Sequence, residues 1–210
     1  MRSERIELTC THCAKTFSAR IITQVDFARP EDCDANFSDG SLFTYTCPHC
    51  QKKVYYNHYL LWVDEPHSIA VCNLTCEEEK NAMEEALSAL SAFGKESSMQ
   101  RRYVASPLQL YEKIMIFSSG LDDRIVEIVK QFLAARVLEE HPQKTVSDVL
   151  FCSSSEEEYL FAFRCTDGDL TVNIPKHAFE TVAAQFSLNE PSPSVVDAKW
   201  AVKYLTKEKR

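Results

Sequence analysis

An α+β protein is predicted, made of a small β module followed by a helical and then mixed α/β region. Three observations carry this. Two cysteine pairs of nearly the same local spelling, Thr9-Cys10-Thr11-His12-Cys13-Ala14-Lys15 and Thr46-Cys47-Pro48-His49-Cys50-Gln51-Lys52, interrupt an N-terminal stretch of strand-like alternation. Apolar residues then recur at helical spacing through the middle of the chain, as in Ile125, Val126, Ile128, Val129, Phe132 and Leu133. Beyond His141-Pro142 come three short runs of strand pattern and two amphipathic segments. The implied organisation is a β module over 1–75, a helical core region over 76–142 and a hairpin and helix region over 143–210.

Taken in order, Ile6-Glu7-Leu8 runs into the first cysteine pair and Phe17 to Val25 runs away from it. Leu42 to Thr46 and Val54 to Val63 flank the second pair in the same way, and Ser68 to Asn73 closes the sheet. Between the pairs, Arg29 to Gly40 has the proline, acidic and Ser-Asp-Gly chemistry of a loop or short helix. Thr75 and Glu78 form a capping box that starts a helix over Cys76 to Phe93. Arg101 to Ala105 is a short strand, and Ser106-Pro107 with Gln109 opens a helix to about Ser118. A longer helix ends at His141-Pro142. Strands are expected at Val149 to Ser153, Glu158 to Cys165 and Leu170 to Ile174, with Asp167-Gly168 as a turn. Helices at Pro175 to Phe186 and Val195 to Leu205 complete the chain.

Composition narrows the function classes. The start has charges of both signs and no apolar core, so it reads as neither signal nor transit peptide. No run approaches the roughly 18 apolar residues of a spanning helix. The expected location is cytoplasmic, where nine cysteines, an odd count, are thiols rather than a disulfide framework. Residues 1–60 carry seven basic and seven acidic side chains, and 61–140 carry eight against fourteen. That balance lacks the basic footprint of a nucleic-acid binder and argues against such a partner.

Two Cys-x-x-Cys turns present four thiolates to one ion, which suits tetrahedral zinc and makes the β module zinc-ribbon-like. Cys10, Cys13, Cys47 and Cys50 are the expected ligands. Four sulfurs complete the coordination and leave no position for a reacting water, so the zinc is structural. Lys15 and Lys52, each two residues past a pair, are placed to offset the double negative charge of such a centre. Departures from the usual spelling are the long spacer from Cys13 to Cys47 and the absence of glycine at Ala14 and Gln51. A thioredoxin-like dithiol is the direct competitor; it needs a helix after the cysteines, whereas strand pattern follows both pairs. His12 and His49 are read as surface residues. Cys72 and Cys76, with Cys33, are a possible second site set against the plainer reading of small buried hydrophobes.

Tyr55, Tyr56, Tyr59 and Trp62 lie in a run apolar on both faces, which covers either the helical core or a partner protein. No pair of carboxylates stands out as acid and base. The residues therefore favour a non-catalytic protein-interaction or adaptor role, with an enzyme cleft, a redox dithiol and a nucleic-acid ribbon left open as alternatives.

The first pair, the strand Ser41 to Thr46 running into Cys47-Pro48-His49-Cys50, the stretch Tyr59-Leu60-Leu61-Trp62-Val63-Asp64 and the later Gly120-Leu121-Asp122-Asp123-Arg124-Ile125 resemble the bacterial CpXC family over roughly residues 5–135. The resemblance implies that Cys10, Cys13, Cys47 and Cys50 are that family's four cysteines, although the first pair lacks the proline. It implies no activity.

Overall fold

The structure is a computed structural model that describes residues 1–26, 41–76, 79–81, 99–189 and 191–207. The expected loop over Arg29 to Gly40, Cys33 within it, and most of the helix expected over Cys76 to Phe93 lie outside the described residues. The chain is mixed α+β and divides into two compact units, Met1–Tyr111 and Glu112–Arg210.

The first unit is built on a five-stranded sheet. Its strands are β1 (Arg2–Thr9), β2 (Thr16–Asp26), β5 (Leu60–Asp64), β6 (Ile69–Asn73) and β7 (Gln100–Val104), in the order β1-β2-β5-β6-β7. β1 and β2 pair antiparallel, with Leu8 opposite Phe17 and Thr9 opposite Thr16, so the first cysteine pair falls in the turn between them. β2 then continues past β1 and pairs parallel with β5, Gln24 lying opposite Leu61. A separate hairpin, β3 (Thr44–Thr46) and β4 (Lys53–Tyr55), carries the second pair in its turn.

Here the structure departs from the expected long strand over Val54 to Val63. The chain breaks into β4 and β5, in different sheets, because His58 between them is turned inward and the neighbouring backbone is bonded elsewhere. The Tyr56 N–H donates to the Phe43 carbonyl at 2.9 Å. Buried His58 sets Nε2 at 3.1 Å from the Leu42 carbonyl and Nδ1 at 2.9 Å from the Tyr59 carbonyl. Asn73 donates to the His58 carbonyl at 2.7 Å. The period-two reading of the aromatic run fails for the same reason. Trp62 is fully buried, whereas Tyr55 stays 62% exposed and Tyr56 38%. Ser41–Phe43 is a short 3₁₀ turn instead of strand.

Capping chemistry fixes the helix starts. Thr75 is gripped by Glu79, its N–H and hydroxyl donating to the carboxylate at 2.6 and 2.7 Å, while the expected box partner Glu78 lies outside the described residues. Helix α1 (Pro107–Ser118) opens as read, the Gln109 side chain accepting the Ala105 N–H at 2.9 Å and Ser106 Oγ the Gln109 N–H at 3.3 Å.

In the second unit, α2 (Asp123–Glu140) is capped by Asp122, which accepts the Arg124 N–H. A three-stranded antiparallel sheet follows: β8 (Val146–Ser154), β9 (Glu158–Cys165) and β10 (Leu170–Pro175), in the order β10-β9-β8. Helices α3 (Lys176–Ala183) and α4 (Ala198–Lys207) complete it. Its core packs Val126 and Val129 of α2 against Phe151, Phe161 and Phe163 of the sheet and Phe179 of α3.

Candidate metal centre

Each cysteine pair folds into the same closed turn. The Cys10 N–H donates to the Lys15 carbonyl at 3.0 Å and the Ala14 N–H to the Cys10 carbonyl at 2.9 Å. In the second turn the Cys47 N–H donates to Lys52 and the Gln51 N–H to Cys47, both at 2.9 Å. This closure requires left-handed backbone at the residue after the second cysteine: φ is 58° at Ala14 and 60° at Gln51. These are the positions where glycine was missed in the sequence; the conformation is kept without it. Lys15 and Lys52 thus contribute carbonyls that close the turns.

The two turns face one another. Cys10 Sγ lies 3.6 Å from Cys50 Sγ, and Cys13 Sγ lies 3.8 Å from Cys47 Sγ. All four sulfurs fall within 4.8 Å of one another, with Cys10 and Cys47 buried and Cys13 and Cys50 half-buried. Four thiolates at about 2.3 Å from one tetrahedral ion stand about 3.8 Å apart, so the cluster has the dimensions of a metal cage. A disulfide needs about 2.05 Å, far shorter than either contact. Leu8, Phe17, Ala19 and Val54 pack around the sulfurs and shield them from water.

Electrostatics of the bare cluster point to a cation as well. Burial pushes the Cys10 thiol up, but the N–H groups of His12 and Cys13 and the thiols of Cys50 and Cys13 more than offset it, bringing it from 9.0 to about 6. At Cys50 the Lys52 N–H pulls down, yet burial and the sulfurs of Cys10, Cys47 and Cys13 raise it to about 11. Cys10 therefore ionises readily, while the neighbouring sulfurs hold Cys50 protonated. A positive ion placed among sulfurs favours their thiolate form.

The histidines show a feature that the sequence reading missed. His12 Nε2 reaches across to the Lys53 carbonyl and His49 Nε2 to the Thr16 carbonyl, both at 3.3 Å. Each histidine sits midway through its own turn and bonds the strand that leaves the other. The two turns are thus latched reciprocally, in a pseudo-two-fold arrangement. Both rings are exposed as expected, but they are tied to the opposite half of the site and not loose in solvent. The available signal was that each pair carries histidine at the same internal position.

Strands, not helices, follow both pairs, as read. Cys72 is buried in β6 and Cys76 is exposed; neither joins a metal-sized cluster among the described residues. Among the described residues no helix is long and apolar enough to cross a membrane.

Fold and site together define an α+β protein with a paired-knuckle, four-cysteine module able to hold a metal ion. The chain belongs to the CpXC family: the family described as CpXC protein matches residues 8–130, which take in all four cysteines. No curated protein and no solved structure gave a significant match.

Proposed function

We propose that this is a zinc-dependent protein-interaction or adaptor protein of the cytoplasm, in which Cys10, Cys13, Cys47 and Cys50 hold one structural zinc. The observation that carries the metal reading is the pair of Sγ contacts at 3.6 and 3.8 Å between two identically closed turns. Zinc suits the donor set, because an all-thiolate tetrahedral site is its usual structural form. A saturated site supports a structural role over a catalytic one.

The interaction role rests on Tyr55 and Tyr56, large aromatic side chains held exposed beside the second knuckle. Such residues are common anchors at protein interfaces. The metal would act on that surface indirectly, by fixing the β3–β4 hairpin that ends at Tyr55.

Native mass spectrometry tests the first part: one zinc per chain is expected, lost in Cys47→Ser. A metal-free protein containing a titratable disulfide between these cysteines would overturn it. For the second part, a partner captured by the intact protein should be lost both from Cys47→Ser and from Tyr55→Ala. Retention by the tyrosine variant would remove this surface from the interaction.

A further inference from the structure

The cage of four sulfurs is shared between two knuckles, so its size depends on how one knuckle sits on the other. Each knuckle is closed within itself: Cys10 is bonded to Lys15 and Ala14, and Cys47 to Lys52 and Gln51, at 2.9 to 3.0 Å. Between the knuckles, Leu8, Phe17, Ala19 and Val54 supply closeness. Apolar contact is non-directional, however, and does not fix a register to the roughly 0.2 Å that metal coordination needs. Hydrogen bonds are directional and can.

Two such bonds cross from knuckle to knuckle. His12 and His49 each stand two residues after the first cysteine of their pair, and Thr16 and Lys53 each stand six residues after it. The ring of His12 meets the Lys53 carbonyl and the ring of His49 the Thr16 carbonyl, both through Nε2 at 3.3 Å. A carbonyl only accepts, so Nε2 carries the hydrogen and donates in both rings. The accepting residues are equivalent in their ladders too: Thr16 is paired with Thr9, immediately before Cys10, and Lys53 with Thr46, immediately before Cys47. A single crossing bond would leave one knuckle free to pivot on the other; its symmetry mate removes that freedom. His12 also touches the ligand set directly, its backbone N–H donating to Cys10 Sγ at 3.4 Å.

We propose that His12 and His49 are positioning residues of the metal centre, holding the two cysteine pairs at the separation and rotation in which one ion meets all four sulfurs. This role rests on the metal reading of the cysteines and adds two residues that act without ligating. Part of the entropy loss of assembling the cage is then incurred in folding, before the ion arrives, so the ion binds more tightly and is released more slowly. Groups that orient ligands from outside the coordination sphere commonly tune metal affinity in this way. An exposed hydrogen bond contributes modestly, which sets the effect of each latch at about three- to tenfold in affinity.

Competition of the intact protein with a chromophoric chelator gives zinc affinity, and transfer of zinc to excess chelator gives its release rate. Both rings are exposed, so His12→Ala and His49→Ala leave the apolar packing in place. Each should weaken zinc binding about three- to tenfold and speed release by a similar factor. His12→Gln and His49→Gln set an amide N–H near the former Nε2 and should restore both quantities to within about twofold of wild type. Cobalt-loaded wild type and all four variants should share the same visible bands. The assignment is overturned if both alanine variants keep wild-type affinity, or if glutamine does no better than alanine. A shift of the cobalt bands in either alanine variant also overturns it, because the ring would then be a ligand. Wild type that takes up no zinc removes the metal reading and the latch with it, so the wild-type titration tells the two failures apart.

Discussion

Ala14 and Gln51 show how much of the metal centre is decided by single residues. Both occupy left-handed backbone, at φ of 58° and 60°, where an L-residue costs about 1 to 2 kcal/mol relative to its ordinary wells. Glycine removes that strain but makes the unfolded chain freer, a loss of about 0.4 to 1 kcal/mol. Subtraction favours glycine, so Ala14→Gly and Gln51→Gly should each raise stability by up to about 1.6 kcal/mol. The denaturation midpoint of the zinc-loaded protein measures this, and a lowered midpoint in both variants would show that the turns are not strained. The cysteine spacing and its strand flanks were legible in the sequence because both are local. The latch of His12 on Lys53 and His49 on Thr16 was not, because each bond joins one knuckle to the other and appears only when they face each other.

At the scale of elements, helix α2 is the clearest case of a pattern that periodicity reads only in part. Counting apolar residues picked the face with Val126 and Val129, which are indeed buried, and also Phe132, which is largely exposed. It passed over Asp123, Glu127 and Lys130, spaced to share a face of the helix and all buried. Facing them from α1 are Glu112 and Lys113. Lys113 Nζ lies 3.0 Å from Asp123 and 3.0 Å from Glu127, while Lys130 Nζ lies 2.8 Å from Glu112 and 3.0 Å from Glu127. Glu112 also accepts the Phe151 N–H at 2.7 Å, tying the network to β8. A charge stripe normally marks a solvated face, so the sequence pattern alone points the wrong way here.

Removing one member of a buried network leaves its partners as uncompensated charges, so Lys130→Met should cost about 3 to 5 kcal/mol. Arg136→Ala, which breaks an exposed pair with Glu140, should cost less than about 1 kcal/mol. Urea midpoints of the two variants decide the matter; similar small losses would mean that the buried network is not load-sharing. The pH dependence has a definite sign. Burial pushes the Lys130 ammonium down, but Glu112 and Glu127 overcome it and hold it above its ordinary 10.5. Stability from this lysine is therefore fully present below pH 10.5 and is lost as pH rises through the higher folded value. Wild type should lose stability in that alkaline window more steeply than Lys130→Met.

For the molecule as a whole, the two units differ in what holds them. Around the cysteines the core is small: Leu8, Phe17, Ala19 and Val54 with the sulfurs of Cys10 and Cys47. In the second unit the core is a continuous aromatic and aliphatic cluster through Val126, Phe151, Phe161, Phe163 and Phe179. Small metal modules draw about 10 to 16 kcal/mol of folding free energy from zinc, whereas apolar burial supports the second unit without it. β2 connects the two regimes inside the first unit: its Thr16 end pairs with β1 beside the cysteines, and its Asp26 end pairs with β5 in the sheet. Chelation of the full chain should then release protection unevenly. Hydrogen exchange followed by mass spectrometry is expected to show fast exchange at β1, β3, β4 and the Thr16 end of β2. Protection should persist at the Asp26 end, and α2 and β9 should remain unchanged. Loss of protection throughout the chain would show that folding of both units depends on the metal, and loss nowhere would show that the cysteine module stands on its apolar contacts alone.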